Sequence, residues 1–149
     1  MMARIASWFT AYGRRKLEWL IAIYTVYFGI GLMLPPVSMA PRSFYGALAL
    51  MSEQSWGAAY FAVGLLHAVA LHVNGRAAWT PFARLGALFL NAQVFLAMTI
   101  GIAAVNPFST GVLTYGFLAA GFCGAAIASA AHDCGREIKI WQGGRNGRI

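Results

Sequence analysis

Four apolar stretches dominate the chain, and most are bounded by a residue that stops a helix. The first runs from Leu17 to Leu34 and ends at Pro35-Pro36, where the ring removes the donor a continuing helix needs. The second runs from Trp56 to Val73 and ends at the turn signal Asn74-Gly75. The third, Phe82 to Ala104, opens behind Pro81 and closes at Asn106-Pro107. The fourth runs from Val112 to Ala131. Each is close to the roughly 20 residues that a helix needs to cross a hydrocarbon core.

This pattern predicts an all-α membrane protein, a bundle of four transmembrane helices forming a single membrane domain over 1–149. Its parts are an arm (1–16), spans at about 17–34, 56–73, 82–104 and 112–131, and a tail (132–149). Residues Val37 to Ser55 form the one long connection, in which Ser43 to Met51 reads as a short helix at the interface. Ile5, Trp8, Phe9 and Tyr12 share a stripe that predicts a short amphipathic N-terminal helix lying on the leaflet.

Composition agrees with this reading. The 149 residues are 60% hydrophobic and only 10% charged, well below the roughly 25% charged of a soluble domain. Too few polar residues exist to cover an aqueous surface, whereas lipid lets the outside of the bundle be apolar.

Charge then orients the bundle. Of the 11 Lys and Arg residues, only Arg42 falls in the long connection. The other ten lie in the arm (Arg4, Arg14, Arg15, Lys16), around the second joint (Arg76, Arg84) and in the tail (Arg136, Lys139, Arg145, Arg148). Basic residues favour the cytoplasmic side, so both termini are expected there. The net charge of +7 is thereby explained by topology, and no specific nucleic acid is expected as a partner. Ser38-Met39-Ala40 offers small residues for signal cleavage, but Pro41 follows directly and the apolar run is long for a signal peptide, so the first helix reads as uncut.

His67, Asn91 and Gln93 are the candidate intramembrane polar residues. His67 shares a helical face with Gly57, Tyr60, Gly64, Leu71 and Asn74, a face whose small residues predict packing against another helix. Asn91, on the antiparallel third span, lies at a similar depth and is the natural hydrogen-bond partner of His67. The sequence favours a neutral packing histidine over a proton relay or ligand contact, because a transport site needs a second ionisable group nearby. Gln93 lies about 200° around the helix from Asn91, so the two amides face apart, and one of them points to lipid or another subunit. Glu18 and Arg84 sit in the first turns of their spans and read as charges at the membrane boundary, with Arg84 snorkelling to the headgroups.

The fourth span carries two stripes of small residues, Ala120-Gly124-Ala128 and Gly121-Ala125-Ser129, the spacing of close helix contact in lipid. Such contact can lie within one chain or between chains. Asn74, Arg76, Arg84, Asp133 and Arg136 read as a solvated rim of ion pairs. Trp19, Trp56, Trp79 and Trp141 read as an aromatic belt.

No catalytic, metal or cofactor motif emerges. Cys123 is mid-span and Cys134 is alone near the end of the span, which excludes a paired-cysteine redox site, and His67, His72 and His132 lie at unmatched depths for haem. No Cys, His or Asp spacing fits zinc. Four-helix multidrug exporters carry a carboxylate inside the first helix, and Glu18 reads as too near the end for that role.

The run Glu53-x-x-Trp56-Gly57, with Gly64, Ala70-Leu71, Asn74-Gly75, Pro81 and Arg84, resembles small four-span membrane proteins of phages and prophages. Ser109-Thr110-Gly111, Tyr115 and Ala131-x-Asp133 extend the resemblance, which spans roughly residues 30 to 136. It implies a phage-borne protein acting on the inner membrane of a bacterial host. Packing-rich helices, the basic tail and the absence of catalytic groups favour a non-enzymatic membrane effector or assembly component, holin-like or excluding further infection, with the bilayer and copies of itself or another membrane protein as partners. The alternatives are a small transporter or channel using His67 and the Asn91 and Gln93 amides, or an accessory subunit of a larger membrane complex.

Overall fold

A computed structural model describes residues 2–35, 38–39, 41–73 and 79–146, with side chains over 15–143 of these. Every element among them is helical. In order they are α1 (Met2–Met33), a 3-10 turn (Arg42–Phe44), α2 (Tyr45–Leu50), α3 (Glu53–His72), α4 (Thr80–Ala103), α5 (Thr110–Phe117), a π-helical turn (Leu118–Cys123) and α6 (Gly124–Asn146). Three stretches are long and apolar enough to cross a membrane: Arg15–Met33, Thr80–Ala103 and Thr110–Gly143. Helix α3, at 20 residues, occupies the second predicted span but is not one of the three.

The helix ends follow local chemistry. Ser52 caps α3 by accepting from Ser55 N at 3.2 Å, and Ser109 caps α5 by accepting from Val112 N at 3.3 Å. Pro81 occupies the first turn of α4, where its missing donor costs nothing. The N-terminal arm differs from expectation. It is not a separate helix, because α1 runs unbroken from Met2. Arg14-Arg15-Lys16-Leu17-Glu18 are good helix formers, and no proline interrupts the passage into the apolar stretch. The stripe of Ile5, Trp8, Phe9 and Tyr12 lies outside the side chains described.

Helices α1 and α3 run antiparallel at the distance of bare backbones. A Cβ added to Gly57 would meet Gly29 O at 2.9 Å, and one added to Gly64 would meet Val26 N at 2.7 Å. Only glycine permits that approach. Contacts of Tyr60 with Val94 and of Arg84 with Asp133 then place α4 antiparallel to both α3 and α6. The short α2 folds back on the far end of α4, where Gly101 would clash with Ala47 if it carried a Cβ. That seat is fixed by Trp56, whose indole Nε1 donates to Ala47 O at 2.9 Å. Trp56 is therefore a buried core residue and not part of an aromatic belt, unlike the exposed Trp19, Trp79 and Trp141.

Along the bundle the core changes character. Trp56, Tyr60, Phe28, Phe95 and Tyr115 interlock toward the end where α2 sits, with Phe28 and Tyr60 ring centroids 5.0 Å apart. At the opposite end the helices face one another with charged and amide side chains.

Glu53 ties the first connection to α3. Its Oε1 accepts from Ser38 N (2.7 Å), Ser38 Oγ (2.6 Å) and Met39 N (3.2 Å). Desolvation pushes this carboxyl upward, but the three donors outweigh it and hold the group below its ordinary value. The stabilisation is therefore present above the unfolded-state value and is lost as pH falls through the lowered folded value. Thermal unfolding in detergent should show that loss on acidification in the native chain, and a smaller acid sensitivity in Glu53→Gln.

Gly64→Ala should lower unfolding free energy by about 1–3 kcal/mol, the usual cost of overpacking. Gly124→Ala, where a Cβ meets nothing within 4 Å, should change it by less than about 0.5 kcal/mol.

Candidate functional site: a buried charge cluster

The inward face of α1 is Glu18, Ile21, Ala22, Thr25, Gly29 and Leu32, a stripe at steps of three and four. The inward face of α3 includes Trp56, Gly57, Tyr60, Gly64, His67 and Leu71, and that of α4 includes Arg84, Ala87, Leu88, Asn91 and Phe95. Where these three faces meet, their polar members come together. Glu18, Thr25, His67 and Asn91 are each 0% exposed, and Arg84 is 2% exposed.

Arg84 and Glu18 form a two-pronged ion pair. Nε donates to Glu18 Oε2 at 2.9 Å, and Nη2 donates to Oε1. The planar fork of the guanidinium matches the carboxylate, the geometry in which such a pair is strongest. On its other side Arg84 Nη1 reaches Asp133 Oδ2 at 3.5 Å, and Arg136 Nη2 lies 3.6 Å from Asp133 Oδ1. Asp133 is 23% and Arg136 65% exposed, so this chain of charges leads from the buried pair to the surface at one end of the bundle.

His67 continues the chain inward. Its Nε2 lies 3.9 Å from Glu18 Oε2, beyond hydrogen-bond distance, and has no hydrogen-bond partner. Its Nδ1 is 3.3 Å from Asn91 Nδ2. Asn91 also donates to Ala87 O at 2.8 Å, and its Oδ1 lies 2.7 Å from the hydroxyl of Thr25. Beyond Thr25 and Asn91 the aromatic layer takes over, and the polar path stops.

Two sequence readings are corrected here. Glu18 is not a boundary charge but a fully buried group, and Arg84 turns into the bundle instead of snorkelling to the headgroups. The physical reason is that each charge lies on the inward face of its helix, and α1 and α4, both antiparallel to α3, run parallel with the two charges at one depth. Helix phase is the signal that reveals this: Glu18 falls on the stripe of Ala22, Thr25 and Gly29, opposite the exposed Leu20, Ile23 and Tyr27. Thr25 was missed for the same reason.

The other named positions separate cleanly. His67 and Asn91 meet, while Gln93 is exposed on the outer face of α4. Gly57 and Gly64 pack inside the chain. On the last helix the inward stripe is Ala119, Cys123, Ala126, Ala130 and Cys134, whereas Ala120, Ala125 and Ala128 are exposed and Gly121 and Gly124 half-buried. Asp133 and Arg136 pair as a rim, with Arg84 joined to them from within. Asn74 and Arg76 lie outside the described residues. Among the described residues no group of three or more His, Cys, Asp or Glu side chains is placed to hold a metal ion.

Removing one partner of a buried ion pair strands the other charge, which costs about 3–5 kcal/mol. Arg84→Leu and Glu18→Leu should each show that loss in detergent unfolding. The double substitution should recover a large part of it, since an apolar pair of similar volume strands nothing.

No family model, curated protein or solved structure matches the chain.

Proposed function

We propose that this chain is a four-span membrane protein that takes up and hands on protons at the Glu18–His67–Arg84 cluster, acting as a small proton-handling transporter. One observation carries the reading: three ionisable side chains meet, fully or almost fully buried, inside an otherwise apolar bundle. Intramembrane ionisable groups are expensive, and they mark ion pathways and proton relays. The objection that His67 lacks a second ionisable neighbour falls away, because Glu18 and Arg84 supply it.

The fourth span in this reading is α3. It is 20 residues long and lies antiparallel to α1 from the contact of Gly57 with Gly29 to that of His67 with Glu18, so it covers the same thickness. An even number of spans places all ten clustered basic residues on one side. The positive-inside rule makes that side cytoplasmic, with both termini, and the resemblance to phage and prophage proteins points to a bacterial inner membrane. Protons then enter beside Asp133 and pass along Arg84, whose guanidinium stays charged, to Glu18 and His67, and passage onward requires the aromatic layer to part.

Purified protein in liposomes with a trapped pH dye tests this directly. An imposed gradient should dissipate faster than in empty liposomes, and Glu18→Gln or His67→Gln should return the rate to that of empty liposomes. Gln93→Ala, on the outer face, should keep the native rate. A native rate equal to that of empty liposomes sinks the proposal.

A second reading has its own observation. Ala120, Gly124 and Ala128 form a small-residue stripe turned away from the bundle, as a contact between copies would need. It supports the phage-type membrane effector or assembly component, acting by self-association. Gly124→Cys in native membranes should cross-link to a dimer under mild oxidation, while Cys at the buried Ala126 should not.

A further inference from the structure

The orientation of one amide decides which nitrogen of His67 carries a proton. Asn91 presents Nδ2 to two neighbours at once, Ala87 O at 2.8 Å and His67 Nδ1 at 3.3 Å. A backbone carbonyl can only accept, so the atom beside Ala87 O must be the amide nitrogen. Its second hydrogen then points at His67 Nδ1. That ring nitrogen is an acceptor and carries no proton. The opposite end of the amide agrees, because Asn91 Oδ1 faces the hydroxyl of Thr25 at 2.7 Å, a group that can donate. Thr25 also lies 2.7 Å from Ile21 O, so its single hydroxyl proton is shared between two acceptors.

We propose that Asn91 is a positioning residue that locks His67 in the Nε2–H tautomer and so turns its one exchangeable proton toward Glu18. The meaning of this for transport rests on the proton-handling reading above. The groups around the ring on the packed helices include Glu18 and Thr25 from α1 and Arg84 and Asn91 from α4, and Glu18 Oε2 lies 3.9 Å from Nε2. The unpartnered, fully buried Nε2 is thus aimed at the carboxylate that Arg84 already holds. His67 can give its Nε2 proton to Glu18 only after a second proton has reached Nδ1, because an imidazolium leaves a neutral ring behind and the neutral ring would leave an imidazolate. A proton on Nδ1 requires the amide to turn over, which would set Asn91 Oδ1 against Ala87 O. The lock leaves His67 a hydrogen-bond donor toward Glu18 and closes Nδ1 to proton uptake until the amide turns.

Nitrogen NMR of histidine-labelled protein in lipid at neutral pH reads this out, with the His67 signals assigned by their loss in His67→Gln. The native chain should show a pyrrole-type Nε2 and a pyridine-type Nδ1 at His67. A protonated Nδ1 in the native chain, in either the other tautomer or the doubly protonated ring, overturns the assignment. Asn91→Asp puts an acceptor beside Nδ1 and should move a proton onto it; an unchanged spectrum in a folded variant also overturns it. Thr25→Val leaves the Ala87 anchor and should keep the Nε2–H form, so a switch of tautomer there would count against the lock. Native liposomes that move no protons, with the Nε2–H form observed, would refute the proposed function while supporting the tautomer lock.

Discussion

Two opposite charges inside an apolar bundle hold each other in place, and the rest of this structure is arranged around that constraint. Glu18 and Arg84 stand on helices far apart in sequence, yet neither can be solvated where it sits. Their attraction fixes the depth of α4 relative to α1. With that register set, Asn91 comes level with Thr25 and His67, and Tyr60 level with Val94. The glycines of α1 and α3 make the arrangement tight, with backbone-to-backbone contact at Gly29, Gly57 and Gly64.

The bundle is polar at one end and aromatic at the other, and this polarity follows from which residues each inward face carries. On α1 the inward face passes from Glu18 through Thr25 to Gly29 and Leu32. On α3 it passes, in the opposite chain direction, from His67 through Gly64 to Tyr60 and Trp56. Antiparallel packing brings like ends together. A line of charged and polar side chains therefore runs from the rim to about mid-bundle, and a dense ring of aromatic side chains fills the remainder.

The helices were legible in the sequence because apolar length and helix-stopping residues are local signals. Pro35, the Asn74-Gly75 turn signal and the Asn106-Pro107 pair need no tertiary information to be read. The level placement of His67 and Asn91 was legible by counting residues from the shared joint between two antiparallel helices. What was not legible was the partnership of Glu18 and Arg84. Each lies within a turn of a predicted span end, where solvated charge is the ordinary expectation, and only the phase of the helix separates an inward charge from a snorkelling one. Trp56 misleads for the same reason, being near a span end yet turned inward to Ala47. The exposed side of Ala120 and Ala128 could not be read either, since small residues serve contacts inside and between chains alike.

The π-helical turn at Leu118–Cys123 gives the last helix a property that a continuous α-helix lacks. A π turn carries an extra residue, so the helix on either side is phased independently. The segment before it is fitted to the aromatic end, with Gly111 against Ile102 and Gly116 against Thr99, while the segment after it carries Asp133 to Arg84. The turn also borders an apolar cavity of about 70 Å³ lined by Leu20, Ile21, Tyr24, Phe95, Leu118, Phe122 and Cys123. The last helix is in effect a spliced rod, whose two pieces answer to different neighbours and meet at a seam with slack beside it.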